Sequence, residues 1–136
     1  MVAFVPPDTN LFNIQGKNGA WYEQKIISDM STVSAANKYL AFIRGDNPYS
    51  IITNPNLNDG SSCIVVKESF GNAFVPFLVS HYQKVHIVDY RYFASVDGRG
   101  LVQLCTDTGS EDVIFINNVS ATRNKSLVGY IDSFVR

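Results

Sequence analysis

The chain is poor in charge, in histidine and in long apolar runs, and each shortage removes a class of function. Charged residues make up 17% of the 136, against about a quarter in an average globular domain; a domain with much covered surface shows such a deficit. The 11 basic and 12 acidic residues nearly cancel. No Arg- or Lys-rich stripe breaks that balance, so nucleic acid is not an expected partner. No apolar stretch reaches the roughly 18 residues that cross a bilayer, and no membrane span is expected. The opening MVAFVPPDTN has no basic head and no long apolar stretch, so it does not read as a signal peptide. The only cysteines, Cys63 and Cys105, share no metal-type spacing. Cys63 lies in an apolar strand pattern and reads as a small core residue; whether the two pair is not decided by the sequence. Two histidines, His81 and His86, without a third ligand nearby make no zinc site. Neither metal nor cofactor is expected.

What is present suffices for one domain, residues 1–136, with a real core. Residues 1–20 carry Pro6, Pro7, Gly16 and Gly19 with weak periodicity and read as an irregular lead-in. SAANKYLAFI follows, with Ala35, Ala36, Tyr39, Leu40 and Ile43 on one helical face and Ser34 placed to cap it. YSIITN reads as a strand and NPNLNDGSS as turn chemistry. From residue 62 the rhythm changes. SCIVVK, KVHIVDY and DVIFINN are short, nearly continuous apolar runs rich in β-branched residues, as central parallel strands buried on both faces require. Phe70, Phe74, Phe77, Leu78 and His81 form a helical stripe between the first two. Leu101, Leu104 and Cys105 form a weaker one, and Leu127, Val128, Ile131, Phe134 and Val135 a clean one at the end. The alternation predicts a three-layer α/β/α fold with a mainly parallel sheet, of the SGNH or flavodoxin-like kind.

Ligands of such sheets sit beyond the carboxyl ends of the parallel strands, and Ser69 falls there, just past CIVVK. Pro76 is tolerated only near a helix start, which places that start near Ala73 and leaves ESFGNA as a loop. Gly71 permits a tight turn there, and free amides at the helix start suit an oxyanion. From the residues alone, the plainer reading is that Ser69 or Asn72 only caps a helix.

KESFGNAFVPFL followed by HYQKVHIVDYRYF resembles the KDSYANxFxPFL…HYxxVxxVDxRY segment of the DHHW family of bacterial proteins. That family is similar to SGNH-type hydrolases and to alginate O-acetyltransferase-like proteins. NKYLAFIRGDNPYSII also resembles the family's DxYxxFLGGNHPY, so the likeness runs over about residues 35–118. It implies Ser69 as nucleophile, with Glu68-Ser69 where the family has Asp-Ser, and Arg91 pointing into the site. It implies Asn117 or Asn118, with Asn118 preferred, at the oxyanion, and Asn72 as the family's loop asparagine in a structural or substrate-facing role. The implied activity is that of an esterase or O-acyltransferase working through a seryl acyl-enzyme. Its substrate would be the O-acyl groups of a carbohydrate, a cell-surface glycan, outside the cell.

One part of the pattern is missing. The family's Asp-His-His-Trp motif supplies the base, and this chain has no Asp-x-His, no Asp-x-x-His and no His-Trp. A serine without a base is a poor nucleophile. His81 lies about 15 Å beyond the loop if the helix is regular, and His86 is mid-strand with Asp89 on the opposite face. Glu68, next to Ser69 on an extended segment, is expected to point away from it. The chain therefore reads as the C-terminal part of a DHHW-like domain with an incomplete sheet, inactive alone. Its exposed edge or apolar patch would be open to a second copy in a homodimer. The alternative is a binding or assembly module with a vestigial pocket. NVS at 118–120 and NKS at 124–126 match the glycosylation sequon, a pattern without meaning in a bacterial protein.

Overall fold

The computed structural model describes residues 11–136. One sheet holds six strands: β1 (Leu11–Gln15), β2 (Trp21–Gln24), β3 (Tyr49–Thr53), β4 (Ser62–Lys67), β5 (Lys84–Asp89) and β6 (Asp112–Ile116), in the order β2-β1-β3-β5-β4-β6. Two α-helices, α1 (Leu101–Thr108) and α2 (Lys125–Val135), and several 3-10 segments complete the described residues.

The three apolar runs form β4, β5 and β6 and pair in parallel, with Ile64 opposite both His86 and Val113. The expected fold class is nevertheless wrong. β3 runs antiparallel to β5, and β1 antiparallel to both β3 and β2, so most pairings are antiparallel and the sheet is mixed. Nor do α-helices cover both faces. Along β4 the side chains alternate, as strand geometry demands. Cys63 and Val65 join Val85 and Ile87 on the face covered by Val75, Leu78 and Val79 of the 3-10 region. Ile64 and Val66 join Val88 on the face covered by Leu104 of α1 and Phe134 of α2.

Two local misreadings produce the difference. The first is the hairpin β1–β2, whose first strand and turn fall in residues 1–20, expected to be irregular; residues 1–10 of that lead-in lie outside the described residues. Phe12 and Ile14 point into the core while Asn13 and Gln15 do not, an alternation diluted by exposed β2. Gly19, at φ 79°, supplies the positive φ that the turn needs. The second lies after β4, where no α-helix forms. Ser69–Ala73 and Val75–Phe77 are successive 3-10 turns. At three residues per turn, Asn72, Val75 and Leu78 stack inward and Phe74 and Phe77 outward. Of the expected stripe only Leu78 is buried; Phe70 is 59% exposed.

Smaller corrections follow the same logic. Residues Ala35–Ala41 are also 3-10, with Tyr39 and Leu40 exposed, and the Ser34 side chain makes no capping bond. On α2, Leu127, Ile131 and Phe134 pack inward, whereas Val128 and Val135 do not. DVIFI forms an edge strand with Phe115 exposed, not a central one. Both sequons are caps: Asn118 Oδ1 accepts from the Ser120 amide, and Asn124 Oδ1 from those of Ser126 and Leu127. Cys63 and Cys105 are free thiols packed against opposite faces of the sheet, and burial pushes the Cys63 pKa up to about 12.

Candidate functional site

Because β4, β5 and β6 are parallel, the residues that follow them leave the sheet at one rim: Glu68-Ser69, Tyr90-Arg91 and Asn117-Asn118. Antiparallel β3 enters at that same rim, so the residues before it, Asp46 to Pro48, arrive there too. The approach is strained. Ile43, Arg44 and Gly45 have φ of 45°, 56° and 81°, and a β-branched residue at positive φ is a true outlier. The Asn47 side chain holds the bend by donating to the Ile43 carbonyl at 3.1 Å.

Two clusters occupy the rim. In the first, Ser69 Oγ donates to Glu68 Oε2 at 2.9 Å, and Glu68 Oε1 accepts the Asn118 amide at 2.8 Å. Glu68 is buried. Its expected orientation away from Ser69 is therefore wrong: alternation applies within a strand, and the strand ends at Lys67, with Ser69 already in a 3-10 turn. Tyr39 Oη donates to the Ser69 carbonyl at 2.7 Å and pins the turn from outside.

The second cluster is ionic. Lys67, buried at the end of β4, lies opposite Asp89 in register. Its Nζ is 3.2 Å from Asp89 Oδ2 and 3.3 Å from Asp46 Oδ1. Arg91 donates through Nε and Nη2 to both oxygens of Asp89, and Nη2 also reaches Asp46 Oδ2 at 2.8 Å. Asn72 Nδ2 donates to Asp46 Oδ1 at 2.9 Å. Burial by itself would raise the Asp46 pKa. The Lys67 charge and the bonds from Asn72 and Arg91 outweigh it and hold the carboxyl below its ordinary value. For Arg91 the Asp89 hydrogen bonds dominate and raise the guanidinium pKa against the effect of burial.

Gly71 lies within the 3-10 turn Ser69–Ala73 and also serves this second cluster. A Cβ there would stand 2.5 Å from Lys67 Cβ, so the missing side chain lets the turn lie on the lysine stem. Its amide is bonded to the Glu68 carbonyl, not free for an oxyanion.

Of the residues singled out from sequence, Ser69 and Asn118 are joined through Glu68, and Asn72 and Arg91 through Asp46. Asn117 instead accepts from Tyr90 Oη. Arg91 is engaged by two carboxylates, and Asn118 Oδ1 accepts the Ser120 amide. The reading missed Asp46, Lys67 and Asp89. Asp46 stands in the RGDNPY stretch that carried part of the resemblance, and a lysine closing an otherwise apolar strand was a signal for the rest. His86 is no base for Ser69. Ile64, its register partner, lies five residues before Ser69, about 16 Å along an extended strand. Its Nδ1 is 2.7 Å from Tyr49 Oη, and burial, with smaller contributions from Lys84 and Arg99, pushes its pKa down to about 4.

The fold of the described residues also occurs in solved structures. The crystal structure of a DHHW family protein from Eubacterium siraeum DSM 15702 matches with a TM-score of 0.77 at 21% identity, over 98% of this chain and 43% of that one. The structure of Bacillus cereus PatB1 matches at 0.72 and 21%, over 90% and 41%. PatB1 with a sulfonyl adduct matches at 0.71 and 20%, over 92% and 43%. At these identities the likeness is one of fold, and the chain spans less than half the length of these proteins. No curated protein matches it. The family model described as DHHW protein matches residues 1–88, and this chain belongs to the DHHW family.

Proposed function

We propose that the chain carries the nucleophile side of an esterase or O-acyltransferase site. The observation that carries this reading is the Ser69 hydroxyl at the strand rim, bonded to a buried carboxylate. Family membership supports it. So does the Bacillus cereus PatB1 structure, which holds a sulfonyl adduct, since sulfonyl electrophiles are captured by nucleophiles. Ser69 would form the acyl-enzyme, with Asn118 and turn amides near the oxyanion. Arg91 and Asn72, tied to Asp46, would shape the pocket wall. The substrate class is the O-acyl groups of a carbohydrate, a cell-surface glycan, which places the protein at the cell surface or outside the cell. Repeated turnover would draw on an Asp-His base that the 136 residues lack, supplied by a longer polypeptide of which this chain is a part, or across a homodimer. No helix among the described residues is long and apolar enough to cross a membrane.

The test is acetate release from an O-acetylated glycan. A polypeptide that adds an upstream Asp-His motif should turn over, and Ser69→Ala should lower its rate by roughly three powers of ten or more. Equal rates with and without the Ser69 hydroxyl would rule the reading out. The missing base favours a second reading, a binding or assembly module. That reading predicts glycan retention on an affinity column with no acyl transfer from either polypeptide.

A further inference from the structure

We propose that Glu68 is the proton acceptor for Ser69 within this chain, a serine–carboxylate pair able to form an acyl-enzyme without histidine. This deepens the nucleophile reading above and rests on it. Each carboxylate oxygen has one assigned partner. Oε1 is fixed by the Asn118 amide at the end of β6, and this leaves Oε2 aimed at Ser69 Oγ, 2.9 Å away. That separation is within reach for direct proton transfer. The nearby cations do not compete for the carboxylate, because Lys67 and Arg91 point to Asp46 and Asp89. Among the described residues, Tyr39 and Tyr90 face Glu68 from other elements. Burial first, and the Glu68 charge among the remaining causes, raises both phenols, so both stay neutral.

The step balances without a further reactant. Ser69 Oγ bonds to the acyl carbon as its proton passes to Glu68 Oε2, and the carbonyl π pair moves onto oxygen. Collapse of the tetrahedral intermediate expels the alcohol or phenol, which leaves with the proton from Glu68. A carboxylate is a weaker base than an imidazole. An activated ester should therefore be captured once and the acyl group released slowly.

The experiment treats this chain with 4-nitrophenyl acetate between pH 4 and 9, following acetylation by mass and mapping it to a residue. One acetyl on Ser69 is expected, at a rate that levels off with rising pH and that falls in D2O. Glu68→Gln should acetylate at least about tenfold more slowly, the low side of general-base contributions, with an unchanged circular dichroism spectrum. Should that variant fail to fold, the wild-type pH profile and solvent isotope effect decide, since a rate that climbs with hydroxide and never levels overturns the proposal. Acetylation of Ser69 in Glu68→Gln at the wild-type rate overturns the role of Glu68 and leaves the nucleophile in place. No acetyl on Ser69 at any pH overturns the role of Glu68, and the nucleophile reading then stands or falls with Ser69→Ala in the longer polypeptide.

Discussion

Lys67 and Glu68 are consecutive, yet the clusters built on them differ in kind. Around Lys67 two cations meet two carboxylates, with an asparagine closing the ring. Around Glu68 there is one carboxylate, one hydroxyl and one backbone amide, with no cation bonded to it among the described residues. The first arrangement neutralises itself, which suits a fixed strut. The second leaves a proton with somewhere to go. Under the proposals above, charge density is a poor guide to chemistry at this rim: the richer cluster is scaffold, and the sparser one would hold the reactive group.

Removing a charge from the strut should have the largest effect. Asp89→Ala leaves Lys67 and Arg91 short of a partner, and breaking a buried pair costs about 3–5 kcal/mol. Urea unfolding should show it; a loss under 1 kcal/mol would mean that the strut is solvated. Acid unfolding separates the clusters from the core. His86 has a folded pKa near 4, below the ordinary 6.5, so the unfolded chain binds its proton first. The corresponding stability is complete above pH 6.5 and is lost as pH falls toward 4, about 3 kcal/mol in all. His86→Gln should flatten that window. The Asp46 carboxyl is also depressed when folded. Its contribution is present above the ordinary carboxylate range and is lost at lower pH than that of His86, and Asp46→Asn should remove that later slope while leaving the His86 window in place.

Gly71→Ala comes next. Its Cβ meets the stem of Lys67, not the flexible end, and overpacking of that kind costs about 1–3 kcal/mol. The smallest effect belongs to Tyr39→Phe. It deletes the bond to the Ser69 carbonyl and should cost about 0.5–1 kcal/mol, while loosening the serine turn enough to change the acetylation rate at Ser69. An unchanged rate would make Tyr39 a bystander.

The central strands were legible because burial on both faces leaves an unbroken β-branched run, as in Ile64-Val65-Val66. The hairpin was not, since only Phe12 and Ile14 carry its apolar signal and β2 is largely exposed. The turn after Ser69 was misread because 3-10 and α periods diverge within a few residues, exchanging Val75 for Phe74 on the inner face. Rim placement of Ser69, Arg91 and Asn118 follows from strand direction, which the parallel runs encode. Asp46 stayed hidden because its strand runs the other way. Glu68 was misplaced because strand alternation was carried one residue past the end of β4. The functional roles of all these residues rest on the proposals above.

The reversed direction of β3 has a practical side. The loop from Asn54 to Ser61 joins β3 to β4 at the far end of the sheet, away from both clusters. Most of its residues are exposed, and its closing Gly60 has open space around it. A fluorescent tag or small reporter domain spliced between Asn58 and Asp59 would therefore leave the chemistry alone. The same graft between Gly45 and Asp46 would pull one carboxylate out of the rim.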